Sequence, residues 1–199
     1  MSGAGVEYEA VVPEVEELRD GLPPEELVVE NARRKAVAGL ALVRAGEGDV
    51  TLGVDTDVFL AGRALGKAVT EPEARKRLEA LSGRTHEVLS GVALARQPAE
   101  KTHTGHAKPR RVVARAPSLT TGVARSSVTF RALDAPTLER YLASGEWRDR
   151  AGAYAIQGLG SSLVEHLEGD FSNVVGLPLQ LLEDLAPELF RGISSGSAG

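Results

Sequence analysis

The segment that most constrains the fold is Val50 to Leu60, VTLGVDTDVFL, in which β-branched and large apolar residues follow one another almost without a break. Such a run reads as a buried strand, the kind found inside α/β sheets. Two polar residues, Asp55 and Thr56, interrupt it. A carboxylate and a hydroxyl at or near the carboxyl end of a buried strand lie where open α/β sheets place their ligands. An aspartate at a strand end also serves as a turn or cap residue, so the segment alone leaves both readings open.

The surrounding sequence supplies helices and further strands. Pro23-Pro24-Glu25-Glu26 is a helix start, after which Val28, Ala32, Ala36, Leu40 and Val43 recur at spacings of four and three, predicting an amphipathic helix. Thr70-Glu71-Pro72-Glu73 fits a capping box with proline in the first turn, opening a helix that ends near Ser82-Gly83. Asp134-Ala135-Pro136 opens another, with Leu138, Tyr141 and Leu142 on one face and Gly145 at its end, and Leu177-Pro178 introduces a last one through Leu182 and Leu185. Alternation of apolar and polar residues makes Val6 to Val12 a half-buried strand, and His86 to Ala95 and Ser127 to Leu133 read as strands. Gly152 to Ile156 and Ser162 to Leu167 are short strand candidates, and the polar, basic stretch from Gln97 to Gly122 reads as a long hairpin or a mobile loop. Strands alternating with helices predict an α/β fold, with some antiparallel pairing after Gly83.

Bulk properties narrow the function. A chain of 199 residues closes one hydrophobic core without needing a second, so a single domain is expected over residues 1–191, with a small, polar, disordered tail over 192–199. The absence of cysteine excludes disulfides, cysteine metal sites and a cysteine nucleophile, and fits a reducing cytoplasm. Met1-Ser2-Gly3-Ala4-Gly5 lacks the basic and apolar regions of a signal peptide, and no apolar run approaches the ~20 residues that span a bilayer. A net charge of −5 means that any polyanion must be held by a few placed cations rather than by the global field. Lys108-Pro109-Arg110-Arg111 with Arg115 is basic but lacks stacking aromatics, so it reads as a solvated loop and no nucleic-acid partner is expected. The four histidines have no metal-ligand spacing.

The company of Asp55 raises the chemical reading. Lys67 follows twelve residues later, and Ser82-Gly83-Arg84-Thr85-His86-Glu87 lies beyond it. A carboxylate with nearby cations suits metal-assisted phosphate hydrolysis, in which cations offset phosphate charge while the carboxylate activates water. Glu14, Glu16, Glu17 and Asp20 read equally as a solvated acidic loop, and Lys35 as the wet face of its helix. Gln157, in the glycine-rich run Gly152 to Gly160, can read a base edge because its amide both donates and accepts, or can close a turn.

Five segments in this order resemble the Maf family: Gly53-Val54-Asp55-Thr56; Leu65-Gly66-Lys67; Leu81 to Val88 (LSGRTHEV); Ala151 to Gly158 (AGAYAIQG); and Gly169 to Pro178 (GDFSNVVGLP). The resemblance runs from about Val6 to about Leu185. It implies a Maf/ITPase-like elongated mixed β-sheet flanked by helices, with a central cleft and a homodimeric state, and hydrolysis of nucleoside triphosphates to the monophosphate and diphosphate with a divalent cation, Mg2+ or Mn2+. By that resemblance Asp55 is the proton acceptor for water or a metal ligand, and Glu17 matches the acidic metal-site position. Lys35, Lys67 and Arg84 face the substrate, and Thr56 and Gln157 match positions tied to substrate choice. The glutamine at 157 resembles the branch acting on dTTP and UTP rather than on 7-methyl-GTP. Two departures stand out. The family's opening strand and LASxSPRR phosphate loop are not matched, and Arg150 stands where lysine is common. The sequence therefore leaves a catalytically impaired nucleotide-binding or dimerisation module, a 7-methyl-GTP pyrophosphatase, or a start further upstream, as alternatives to an active dTTP/UTP pyrophosphatase.

Overall fold

A computed structural model describes residues 8–43, 50–97 and 116–190. Five strands, β1 (Val50–Leu60), β2 (Arg63–Ala64), β3 (Thr85–Arg96), β4 (Ser118–Phe130) and β5 (Val164–Glu168), form one sheet in the order β2-β1-β3-β4-β5. Five α-helices, α1 (Pro24–Leu42), α2 (Glu71–Leu81), α3 (Ala135–Ser144), α4 (Phe171–Val175) and α5 (Leu179–Leu185), flank it. The α/β architecture is the expected one. Every ladder among the described residues is antiparallel, so the expected mixed pairing is not seen in them.

One face of the sheet is covered by α1 at unusually close range, because β1 and β3 present glycine where the helix crosses. A Cβ on Gly53 would come within 2.2 Å of the Ala32 carbonyl oxygen, and one on Gly91 within 2.2 Å of that of Val28. The interface is completed by small residues, Ala32, Ala36, Ala93 and Ala95 with Leu40. The opposite face carries two apolar layers. Leu182 of α5 packs on Val92 and Leu94, while α2, α3, Trp147 and Tyr154 close over Val58, Val88, Val128 and Phe130. β3, sandwiched between the faces, is buried at nearly every position.

The caps read from sequence hold. Thr70 Oγ1 accepts from Glu73 N at the start of α2, Asp134 accepts from Thr137 N at the start of α3, and Gly145, at φ +74, ends α3. Three expectations need correction. Residues 8–12 of the proposed Val6–Val12 strand have no regular structure, and all but the half-buried Val11 are exposed, so the alternation meets no neighbouring strand among the described residues; residues 6 and 7 lie outside them. β4 starts at Ser118, nine residues before the expected Ser127, because its backbone pairs with buried β3 along twelve positions whatever the polarity of its side chains. Gly152–Ile156 opens with a turn, runs on without regular structure and is not a strand, since Gly152 and Ala153 both take positive φ, +66 and +61, which strands do not allow. The short α4 went unread, although Asp170 caps it and Gly176 at φ +114 ends it. The Lys108–Arg111 and Arg115 patch and the 192–199 tail lie outside the described residues.

Candidate active site

Helix α1 delivers two polar side chains onto Asp55. Asn31 and Lys35 stand four residues apart, so they share a helix face with buried Val28, Ala32 and Ala36. That face crosses β1 where Gly53 lets the backbones approach. Lys35 Nζ donates to Asp55 Oδ1 at 2.7 Å, and Asn31 Nδ2 donates to Asp55 Oδ2 at 3.1 Å. The Lys35 ammonium also pairs with Glu17 Oε1 at 2.6 Å. Glu17 reaches it because Asn31 fixes the next residue by two bonds. Leu18 N donates to Asn31 Oδ1 at 2.8 Å, and Asn31 Nδ2 donates to Leu18 O at 2.9 Å. Burial by itself disfavours the Lys35 charge, but hydrogen bonds to Asp55 and Glu17 prevail and hold its pKa above the ordinary value. The same hydrogen bond, chiefly, holds the Glu17 carboxyl below its usual range.

These groups form one wall of a cleft of about 810 Å³. Among the described residues β1 is paired on its outer edge only at Phe59 and Leu60, to β2, and Val54 to Val58 line the cleft. Glu17, Lys35, Asp55, Thr56, Lys67 and Gln157, dispersed over 140 positions of sequence, are brought together there. Ten charged residues line the cleft, six cations against four carboxylates, a local excess of positive charge in a chain of net charge −5. Lys67 is exposed and makes no ion pair among the described residues, unlike Lys35. Arg148 and Arg150, on the segment after α3, add to the same cleft. Thr56 Oγ1 hydrogen-bonds Ser90 Oγ at 2.7 Å, and Gln157 precedes a 3-10 turn, Gly158–Leu163, that its side chain does not cap.

Arg84 is not among the residues that line the cleft. Gly83, at φ +64, reverses the chain after α2, leaving Arg84 exposed with Nη1 3.5 Å from the Ala80 carbonyl. Its neighbour His86 is buried, with Nε2 2.9 Å from Tyr154 Oη and its ring edge-on to Phe130 and Tyr154. Burial pushes His86 down to about 4, and Tyr154 lines the cleft.

Sequence reading missed Asn31 and Asp57. Asn31, only 3% exposed, was detectable as a polar residue inside the apolar helix stripe. Asp57 lies two residues beyond Asp55, hence on the same face of β1. Its Oδ1 accepts from Val58 N at 2.7 Å and Gly66 N at 3.1 Å. Burial outweighs those bonds and raises the Asp57 carboxyl to about 6.

An α/β domain whose cleft combines carboxylates on a half-buried strand with an excess of cations is suited to charged phosphate chemistry. The model of the Maf-like protein family matches residues 1–189, and this chain belongs to that family. It is 38% identical over 187 residues to the dTTP/UTP pyrophosphatase of Dictyoglomus thermophilum, covering 93% of this chain and 86% of that protein. It is 42% identical over 182 residues to the dTTP/UTP pyrophosphatase of Desulfitobacterium hafniense, covering 90% and 73%. The protein of the same name from Pyrococcus abyssi is 38% identical over 172 residues, covering 86% and 80%. No helix among the described residues is long and apolar enough to cross a membrane.

Proposed function

We propose that this chain hydrolyses the α–β anhydride of dTTP and UTP, releasing the nucleoside monophosphate and diphosphate. The observation that carries the reading is Asp55, a carboxylate on the cleft wall whose two oxygens are oriented by Lys35 and Asn31. An ionised carboxylate has about four lone-pair sites, so these two bonds leave room for a water. In this reading Asp55 accepts a proton from that water as it attacks phosphorus. Lys67, Arg148 and Arg150 offset the charge of the phosphates. Lys35 orients Asp55 and Glu17, Gln157 meets the edge of the pyrimidine, and Thr56 lines the same cleft.

The Maf resemblance implies a divalent cation, and the donor set fits one. Glu17 and Asp55 both direct a carboxylate oxygen at the Lys35 ammonium, so positive charge is already accommodated between them. Among the described residues no group of three or more His, Cys, Asp or Glu gathers to form a closed cage. Two carboxylates completed by water and phosphate oxygens is the arrangement Mg2+ favours. When bound, the cation would neutralise phosphate charge and polarise the oxygens of the scissile anhydride.

Diphosphate release from dTTP, UTP and 7-methyl-GTP, with magnesium or manganese and against Asp55→Asn, tests the proposal. Release from the two pyrimidine nucleotides is expected, falling by roughly two to four orders of magnitude in Asp55→Asn, the range for loss of a general base. Undiminished turnover by the variant would remove Asp55 from the chemistry. Preference for 7-methyl-GTP would overturn the substrate assignment while leaving the reaction class intact.

A further inference from the structure

The Leu65-Gly66-Lys67 turn is anchored from more directions than a surface turn requires. Leu65 N donates to Val58 O at 2.8 Å, and Gly152 N donates to Gly66 O at 2.9 Å. Lys67 itself bridges to Ala151. Two charged side chains, one on β1 and one on α2, complete the hold. Asp57 Oδ1 accepts from Gly66 N at 3.1 Å, and Arg77 Nε donates to Leu65 O at 2.7 Å. Both side chains line the cleft, although neither belongs to the Lys35–Asp55–Glu17 group. Taking a carboxylate out of water is costly, and here the bonds Asp57 makes are to backbone amides, one of them in the turn before Lys67. Arg77, only 21% exposed, spends its Nε on a backbone carbonyl and holds Nη1 3.5 Å from Glu73. The outcome is that the backbone carrying the Lys67 ammonium, which makes no ion pair among the described residues, is fixed to β1, to α2 and to the 151–152 segment together.

We infer that Asp57 and Arg77 are positioning residues, which lock the Leu65-Gly66-Lys67 turn so that the Lys67 ammonium meets the phosphate chain of the substrate. The inference rests on the reading of this cleft as a triphosphate site. A charge-assisted bond to a backbone amide is shorter and stronger than a neutral one, and a misplaced cation loses Coulomb attraction with distance. Asp57 and Arg77 thus act on phosphate binding through Lys67, without touching the phosphates.

The test is a double-mutant cycle on the full chain, read both as KM and kcat for dTTP and as the Kd of inorganic diphosphate. Asp57→Val removes the acceptor for Gly66 N, and it is expected to raise KM and Kd about tenfold, equivalent to about 1.4 kcal/mol, while kcat changes much less. Asp57→Asn keeps an oxygen that can accept from Gly66 N, so it restores most of the affinity. Arg77→Met, which removes the bond to Leu65 O, follows Asp57→Val. In a Lys67→Ala background, Asp57→Val and Arg77→Met are expected to add less than about twofold. Penalties that multiply in full with or without Lys67 would overturn the inference, as would an Asp57→Asn protein no better than Asp57→Val. Should the wild-type chain bind diphosphate but release none from any nucleotide, the pyrophosphatase reading fails and the Kd cycle still decides the clamp. A wild-type chain that binds neither dTTP nor diphosphate removes both.

Discussion

Asn31 joins three parts of the chain with one amide: the Leu18 backbone, α1 and Asp55. Asn31→Ala leaves the partly buried Leu18 amide and carbonyl and one oxygen of buried Asp55 without their partner. Each unmet group costs ~1–3 kcal/mol, so urea unfolding is expected to show a loss of that order, with turnover falling as Glu17 and Asp55 lose their common support. His86 gives a second prediction at this scale. Its pKa is about 4 in the folded chain against an ordinary ~6.5, so the folded state disfavours the protonated ring. The stability this neutral histidine contributes is present above pH 6.5 and is lost as pH falls toward 4. Asp57, raised to about 6, acts in the opposite sense over much of that window, so wild-type stability alone masks the effect. A comparison of wild type with His86→Gln cancels the Asp57 contribution. The stability advantage of wild type is expected to shrink by about 2 kcal/mol between pH 7 and pH 5, measured by denaturant melts.

At the scale of elements, the contact between α1 and the β1–β3 pair decides whether the site exists, because Asn31 and Lys35 sit on the helix and Asp55 on the strand. Gly53 faces the Ala32 carbonyl and the Ala36 amide at distances no Cβ tolerates. Backbone cannot move aside as a flexible side chain would. Gly53→Ala is expected to lower stability by at least ~1–3 kcal/mol, the usual cost of overpacking, and to depress turnover in the fraction that stays folded, since α1 must lift away from Asp55. Thermal unfolding followed by assay of the folded sample checks both parts. Ala36→Gly, which creates a small void and leaves no clash, serves as the control with a milder loss. The helices were legible because their signals are local: Thr70 and Asp134 cap, Gly145 stops, and apolar residues recur every three or four positions. The start of β4 was not, because Ser118 to Ser126 is held by a neighbouring strand rather than by its own propensity.

For the molecule as a whole, the distribution of charge matters more than its total. A chain of net charge −5 places six cations against four carboxylates at its cleft, and the Lys35 ammonium already lies between Glu17 and Asp55. The fold therefore needs no metal to keep those carboxylates together. Chelation is expected to abolish diphosphate release while leaving the thermal unfolding midpoint of the nucleotide-free chain within a degree or two, a shift of well under ~1 kcal/mol. A large drop in the midpoint would mean instead that a cation is part of the resting structure.

The sequence by itself determined the α/β class, the strand with Asp55 at its polar interruption, two capped helices and the family, because each follows from local patterning or from motifs in a fixed order. It also indicated that a few placed cations would have to overcome a negative net charge. Only the tertiary structure decided which cations gather at the cleft. It tied up Lys35 between two carboxylates, left Lys67 without an ion pair among the described residues, kept Arg84 out of the cleft lining, and brought in Asn31, Asp57 and Arg77. The reason is that burial and pairing depend on which backbones come close, and that was set by the glycines at 53 and 91 and by a turn anchored from three directions, none of which has a periodic signature in the chain.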